Sequence, residues 1–368
     1  MTTADPRIPA QRSAAKPVGI RDVATLAGVS VAAASLALNG RPGVADSTRR
    51  RIAAAAEQLG YSANPQAQAL RRGRTMTYGL VTRNLANPFF LDVMSGAEEV
   101  ASEAGATLLV LDSSYSLDRE AEQVRKMAAQ RLEGLAIAPV GSGGGIRLWQ
   151  QLRPGTPVVA LNASVGGMTG VSLVSPDNRA AVALPMLRIA ELGHSSVAFV
   201  TAPHPVMADP DRLSHFRAVA GELGLATRVV YSALTIDDVA QATRSLLAGF
   251  DAPTSVITNS DYTAYAVYKA ARELGLRIGP HVSVVGHDDL PASELLDPPL
   301  ATIRVDRREM GRQLMRRLLT ADHAGDYVAP VELVHRASLQ RPEPGGDGVV
   351  TKAGEPQAPE GRQVGNAP

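Results

Sequence analysis

The sequence predicts two fold classes in one chain: a small all-α helix-turn-helix head, then an α/β body of two doubly wound parallel-sheet lobes. Three observations predict it. Residues 20–73 are cut into short helices by glycines, an Asn-Pro pair and small capping residues. From Thr77 onward, β-rich apolar runs alternate with helical stretches. Charge is also divided. Residues 1–75 hold eleven Lys/Arg against four Asp/Glu, or +7, and the rest holds 26 against 32, or −6. A basic head on an acidic body points to a polyanionic partner for the head alone.

In the head, Val23, Leu26 and Ala27 fall at helical spacing and form one apolar face. Gly28 permits a tight turn. Ser30 caps a second helix through its hydroxyl, and Asn39-Gly40 stops it. A third helix is expected from near Thr48, capped by Ser47 or Thr48, with Ile52, Ala55, Ala56 and Leu59 on one face. Three small helices with this turn form a helix-turn-helix, whose second helix enters the DNA major groove. Asn64-Pro65 then opens, and Gly73 closes, a helix of about two turns. Helices below ~12–15 residues are marginal in water, so this one is expected to form only against a partner copy and DNA.

In the body, the runs YGLVT (78–82), TLLVL (107–111), GLAIAP (134–139), PVVALN (157–162), VAFVTA (197–202), SVITN (255–259) and VSVVGH (282–287) read as buried strands. Helices are expected over Phe90–Ala104, Asp118–Gln130, Arg179–Leu192 and Asp261–Leu274. The helix–Gly–strand phrase of residues 99–112 returns in residues 269–289, and the region is too long for one sheet, so two similar lobes are expected. The organisation is an N-terminal arm (1–17) and a C-terminal tail (342–368), both expected to be disordered, a head (18–63), a hinge (64–76) and a body (77–341). The N-lobe takes residues 77–175 and 304–330, and the C-lobe takes 176–303 and 331–341.

Composition narrows the function. No apolar run approaches the ~18 residues of a membrane span, and no signal-peptide apolar region opens the chain, so no membrane partner and a cytoplasmic location are expected. Zero cysteines exclude disulfides, Cys-ligated zinc and a thiol nucleophile. No G-x-x-x-x-G-K-[ST] loop and no G-x-S-x-G elbow occur, GSGGG (141–145) reads as a loop, and the seven His lack metal-binding spacing. No enzyme activity, cofactor or metal is expected. Two α/β lobes bind ligands where strand ends face each other. Polar residues just past strand ends are Asn162, Ser260, Asp261, His287, Asp288 and Asp289, with Arg212 after the VAFVTA strand. Asp261 and Asp289 serve equally well as helix caps. Trp149, in IRLWQQL, reads as a helix packing or surface residue.

The phrases DVATLAGVS, SLALNG and VADSTRRRIAAAAEQLGYSANPQAQAL resemble the opening of the lactose-repressor (LacI/GalR) family of bacterial transcription regulators, and the likeness runs from about Ile20 to Gln340. The resemblance implies a body like that of periplasmic binding proteins, without their signal peptide. It maps groove-reading positions onto Val31, Ala32 and Leu36, and phosphate-contacting or flanking positions onto Arg21, Ser30, Ala33, Ser35 and Asn39. In the family, two hinge helices pair in the minor groove and a leucine wedges between base pairs. That places Ala67, Leu70 and Arg71 against DNA, with Leu70 as the wedge. The chain departs from the family at its recognition helix, VAAASLAL, where relatives usually carry polar or Arg side chains. Val31, Ala32 and Leu36 make no bidentate bonds to base edges, so apolar contact and DNA shape would carry readout.

The body shares NPFF (87–90), DN (177–178), LGH (192–194), R-x-x-x-F (212–216), SD (260–261) and VVGHDD (284–289) with these sensors. The resemblance makes Arg212 and Asp288 the leading effector ligands, then Asn162 and Ser260, with Leu85, Phe89 and Phe90 as walls; the two phenylalanines fit a core role equally. An Arg fork with an Asp and amide or hydroxyl groups suits a sugar. The expected function is a homodimeric repressor on pseudo-palindromic operator DNA, controlled by a small molecule between the lobes. The alternative is a cytoplasmic small-molecule-binding protein with a degenerate DNA-binding head.

Overall fold

Small residues set the geometry of the head. Helix α1 (Ile20–Leu26) and helix α2 (Val31–Leu38) are joined by Gly28 at φ +62°, and the chain bends by 104° between them, within the range of helix-turn-helix units. The computed structural model describes residues 18–61, 75–207, 210–320 and 325–343. The chain divides into two compact units, residues 1–75 and 76–368, each with its own core. The expected arm, the hinge helix with Ala67, Leu70 and Arg71, and the tail from residue 344 lie outside the described residues.

Ser30 caps α2 as expected, its Oγ accepting from the Ala33 amide at 3.1 Å. Two expectations for the head are corrected. Leu26 is 46% exposed; Val23, Ala24 and Ala27 fill the α1 core face instead, because small side chains suffice where three short helices approach. Helix α3 (Asp46–Gln58) starts two residues before Thr48, and its N-cap is Ala45, with no side-chain cap. Asp46 in its first turn offers the helix dipole a negative charge in place of a capping hydroxyl. Ile52, Ala55 and Ala56 are buried against α1 and α2.

The body holds two six-stranded sheets. The first has the order β11-β5-β4-β3-β1-β2, from β1 (Thr77–Thr82), β2 (Thr107–Asp112), β3 (Leu135–Ile137), β4 (Val158–Leu161), β5 (Val171–Pro176) and β11 (Tyr327–Ala329), all parallel. The second has the order β12-β10-β9-β8-β6-β7, from β6 (Ser196–Thr201), β7 (Ala226–Tyr231), β8 (Ser255–Thr258), β9 (Ser283–Asp288), β10 (Ala301–Val305) and β12 (Val331–Val334). Only β10 and β12 pair antiparallel there. The chain passes between sheets three times, after β5, after β10 and between β11 and β12.

Each sheet is covered by helices. In the first lobe, α4 (Phe89–Glu103) and α12 (Arg307–Thr320) pack on one face, and α5 (Leu117–Ala129) and α6 (Gly144–Leu152) on the other. In the second, α7 (Asn178–Glu191), α8 (Pro210–Leu223), α9 (Ile236–Leu247) and α10 (Asp261–Glu273) share one core, and the short α11 (Pro291–Glu294) follows β9. Gly96 of α4 and Gly311 of α12 let these helices cross closely: a Cβ on Gly96 would strike the Arg308 carbonyl, and one on Gly311 the Val93 carbonyl.

GSGGG is not wholly a loop. Gly144 and Gly145 form the first turn of α6, because buried Glu120 accepts from the amides of Val140 (2.5 Å) and Gly145 (3.0 Å). Burial pushes the Glu120 carboxyl up, against the pull of those amides and of Arg83. Trp149 is core, fully buried in the α5/α6 layer. Among the described residues, no single helix is long and apolar enough to cross a membrane.

Candidate functional site

Alternation on α2 separates its two faces. Ala34 and Ala37 are buried, while Val31 (44% exposed) and Ala32 face solvent; Ala33, Ser35, Leu36 and Asn39 are half-buried. The exposed side of this helix carries no charge. The exposed cations of the head lie on other segments: Arg21, Arg41, Arg50 and Arg51. Arg49 is different: it donates to the carbonyls of Ala37 and Arg41, both at 2.9 Å, and so closes the C-terminal end of α2. Asn39 donates to the Ser35 carbonyl at 2.7 Å, which ties its amide to its own helix. A surface of this kind presents apolar groups to base edges and guanidinium groups to phosphates.

In the body, a cavity opens between the two sheets at the strand C-termini, where parallel α/β sheets bind ligands. Phe89, Asn162, Arg212, Ser260 and Asp288 all line it. Leu85 does not; it stands 40% exposed, away from the wall. Phe89 and Phe90 do both jobs considered for them: they form a T-shaped pair in the first-lobe core, and both border the cavity.

Arg212, in the first turn of α8, is 4% exposed and reaches both lobes. It donates to Asn178 Oδ1 (2.9 and 3.1 Å) and the Asn259 carbonyl (3.1 Å) on its own side, and to Asn162 Oδ1 (3.5 Å) past β4. Two more bonds close the rim across the lobes, Gly141 amide to Val206 carbonyl (3.1 Å) and Ser164 Oγ to Asp211 Oδ2 (2.5 Å).

Asp288 ends β9 at φ +122°, held by His287 Nδ1 at 2.8 Å from its Oδ1; its buried Oδ2 has no hydrogen-bond partner among the described residues. Burial pushes its carboxyl up to about 8, although Arg307, Arg212 and Arg83 pull the other way. A buried acceptor left over in a cleft is a place for a ligand hydroxyl. Ser260 also caps α10, accepting from the Thr263 amide at 3.2 Å.

The two ambiguous carboxylates are structural. Asp261 accepts from Leu290 N (2.8 Å), Ser293 Oγ (2.6 Å) and Thr302 Oγ1 (2.5 Å), pinning the turn after β9. Asp289 pairs with Arg304 (2.6 Å) and Arg336 (2.8 Å), which hold its carboxyl below the ordinary range. Behind Asp288, Arg307 of α12 donates to the carbonyls of Asp288 and Asp289 and pairs with Asp92 of α4 at 2.7 Å. One guanidinium therefore ties the β9 end of the second lobe to a helix of the first.

Sequence reasoning missed Arg83, Asn87, Tyr115, Thr201 and Asn259, which also line the cavity. Arg83 follows β1 and Tyr115 lies just past β2, so the strand-end criterion, applied to those two strands, would have found both.

Residues 19–64 match the profile of the bacterial regulatory proteins, lacI family, and residues 187–339 that of the periplasmic binding protein-like domain. Over 336 residues the chain is 31% identical to the HTH-type transcriptional regulator MalR of Streptomyces coelicolor, an overlap of 87% of this chain and 96% of MalR. The chain belongs to the lacI family of bacterial regulatory proteins. Solved structures similar to this lacI-family chain include a lac repressor dimer bound to operator and the anti-inducer ONPF (TM-score 0.78, 27% identity, 88% of this chain and 100% of that one). A transcriptional regulator CelR–cellobiose complex is also similar (TM-score 0.65, 26% identity, 87% and 99%). The family consists of transcription regulators, and the two-lobe fold expected from the sequence is the lac repressor-like fold of these structures.

Proposed function

We propose that this lacI-family regulator acts as a homodimeric repressor on pseudo-palindromic operator DNA and is controlled by a sugar or sugar derivative seated between the lobes of its body. Arg212 is the observation that carries the reading. Its fork engages Asn162 on one side of the cleft and Asn178 and Asn259 on the other, so a ligand that takes over part of this fork changes what holds the lobes together. Asp288, with one oxygen unpartnered, accepts ligand hydroxyls, and Asn162, Ser260 and Phe89 complete the wall. Two similar structures support this reading, a lac repressor dimer bound to operator and a regulator in complex with cellobiose. The protein works in the cytoplasm, on the nucleoid when bound to DNA.

For the head, Arg21 and Ser30 contact phosphates, and Val31, Ala32 and Leu36, flanked by Ala33, Ser35 and Asn39, meet base edges. Ala67, Leu70 and Arg71 act in the hinge. A thermal-shift panel of sugars, sugar phosphates and nucleobases identifies the effector class, since a ligand of the folded state raises Tm by mass action. Arg212→Ala is expected to abolish the shift; a shift of unchanged size in the variant sinks the site assignment. A second reading, a small-molecule-binding protein with a degenerate head, is favoured by the uncharged outer face of α2. Fluorescence anisotropy on a palindromic operator library decides between them. A preferred sequence supports the regulator, and uniform, purely salt-dependent binding supports the degenerate head.

A further inference from the structure

The cavity is unbalanced in charge. Two guanidinium groups line it, Arg83 from the first lobe and Arg212 from the second, against one carboxyl group, Asp288. Arg83 is 9% exposed. It donates from Nη2 to the Asn162 carbonyl at 3.0 Å and has no ion pair among the described residues. A guanidinium carries five N–H donors in a plane, so most of this fork remains available toward the cavity.

The carboxylates near Arg83 are occupied elsewhere. Glu120 takes the Val140 and Gly145 amides, and Asp112 takes the hydroxyls of Thr82 and Ser114 and the Leu85 amide. Arg307, the third cation close to Asp288, is satisfied by Asp92 and two carbonyls. A buried cation with no ion pair among the described residues is favoured by a ligand that supplies the counter-charge. A neutral polyol completes hydrogen bonds but leaves that charge uncompensated.

We propose that the effector carries an anionic group, a carboxylate or a phosphate, and that Arg83 and Arg212 grip it from opposite lobes. This rests on the cleft being the effector site. Hydroxyls elsewhere on the molecule engage Asp288 and Ser260, and the anion brings the lobes together by attracting one cation on each. A planar fork recognises either anion through two parallel N–H···O bonds.

The test uses the full chain. Tm shifts and calorimetric titrations are measured with inorganic phosphate, which needs no stereochemical match, and with common hexoses and pentoses beside their uronates, aldonates and phosphates. The expected result is stabilisation by phosphate, with at least one acid or phosphorylated sugar binding about tenfold or more tighter than its neutral parent. Arg83→Gln removes that preference, weakening the acid or phosphorylated sugar about tenfold more than its neutral parent, and Arg83→Lys restores part of it. Neutral sugars binding as tightly as their acids, equal losses of both classes in Arg83→Gln, or no shift from any anion each overturn the proposal. Arg212→Ala separates the two failures. Anion binding that survives both Arg83→Gln and Arg212→Ala lies outside the cleft and refutes the cleft reading itself. Binding lost in Arg212→Ala but indifferent to Arg83 and to ligand charge refutes only the anion.

Discussion

Asp288 shows what a single residue is asked to do here. It closes a strand, sits at positive φ, holds His287 and leaves one oxygen in the cleft. With burial pushing its carboxyl up to about 8 from 3.8, the folded chain keeps a proton between those values that the unfolded chain has released. Stability therefore falls as pH rises through that window, because the folded state binds more protons there. Asp288→Asn cannot ionise. Its Tm relative to the parent is expected to climb steadily from pH 5 to pH 8 in ligand-free differential scanning fluorimetry; a difference independent of pH would contradict the assignment. Asp261 shifts in the same direction, up to about 6, yet its three hydrogen bonds make Asp261→Ala destabilising at every pH. Urea unfolding at pH 5 and pH 8 checks this. Residues also limited the reading of the site. Asn162, Arg212, Ser260 and Asp288 were legible because each follows a strand, alone or by family phrase. Arg83 was passed over because the strand-end criterion was not applied to YGLVT, although it directly follows that run.

Elements were legible where burial was continuous. The seven apolar runs all became strands; six of them, β1, β3, β4, β6, β8 and β9, meet core on both faces, and β2 is half-buried along most of its length. Strand β7 escaped notice because it is a sheet edge with exposed Ala226, Thr227 and Arg228, and β5 ends in a proline. Helix α12 has six Arg or Glu residues in its fourteen, which hid its apolar stripe of Met310, Leu314, Met315 and Leu318. The crossing of α12 over α4 makes a definite prediction. Gly311→Ala places a methyl group against the Val93 carbonyl, and overpacking of this kind costs about 1–3 kcal/mol. Urea denaturation measures the loss; an unchanged midpoint would mean that the helices separate freely. In the head, Ser30 was legible as a cap, whereas the Arg49 bonds to the end of α2 join residues eight and twelve apart and have no local signature.

On the scale of the whole molecule, charge and linkage set the expectations. With +7 on residues 1–75 and −6 on the remainder, electrostatic affinity for DNA belongs to the head, and non-specific binding should weaken steeply with salt. Removing the exposed pair Arg50 and Arg51 is expected to flatten that salt slope and lower affinity equally for all sequences, as read by anisotropy titrations at several salt concentrations. A loss confined to one sequence would instead make them base readers. Effector and operator should also influence each other reciprocally. A coupling of ~1–3 kcal/mol corresponds to a 5–150-fold change in operator Kd at saturating effector. Titrating operator with and without the effector measures it, and equal affinities would show a cleft disconnected from the head.

The three passages of chain between the sheets, after β5, after β10 and between β11 and β12, give this linkage its mechanical character. Three covalent crossings join the two sheets, so any change in their relative placement has to be absorbed in those three segments. If the proposed effector seats in the cleft, the contacts it would compete with or reinforce across the rim are those at Gly141 and Ser164.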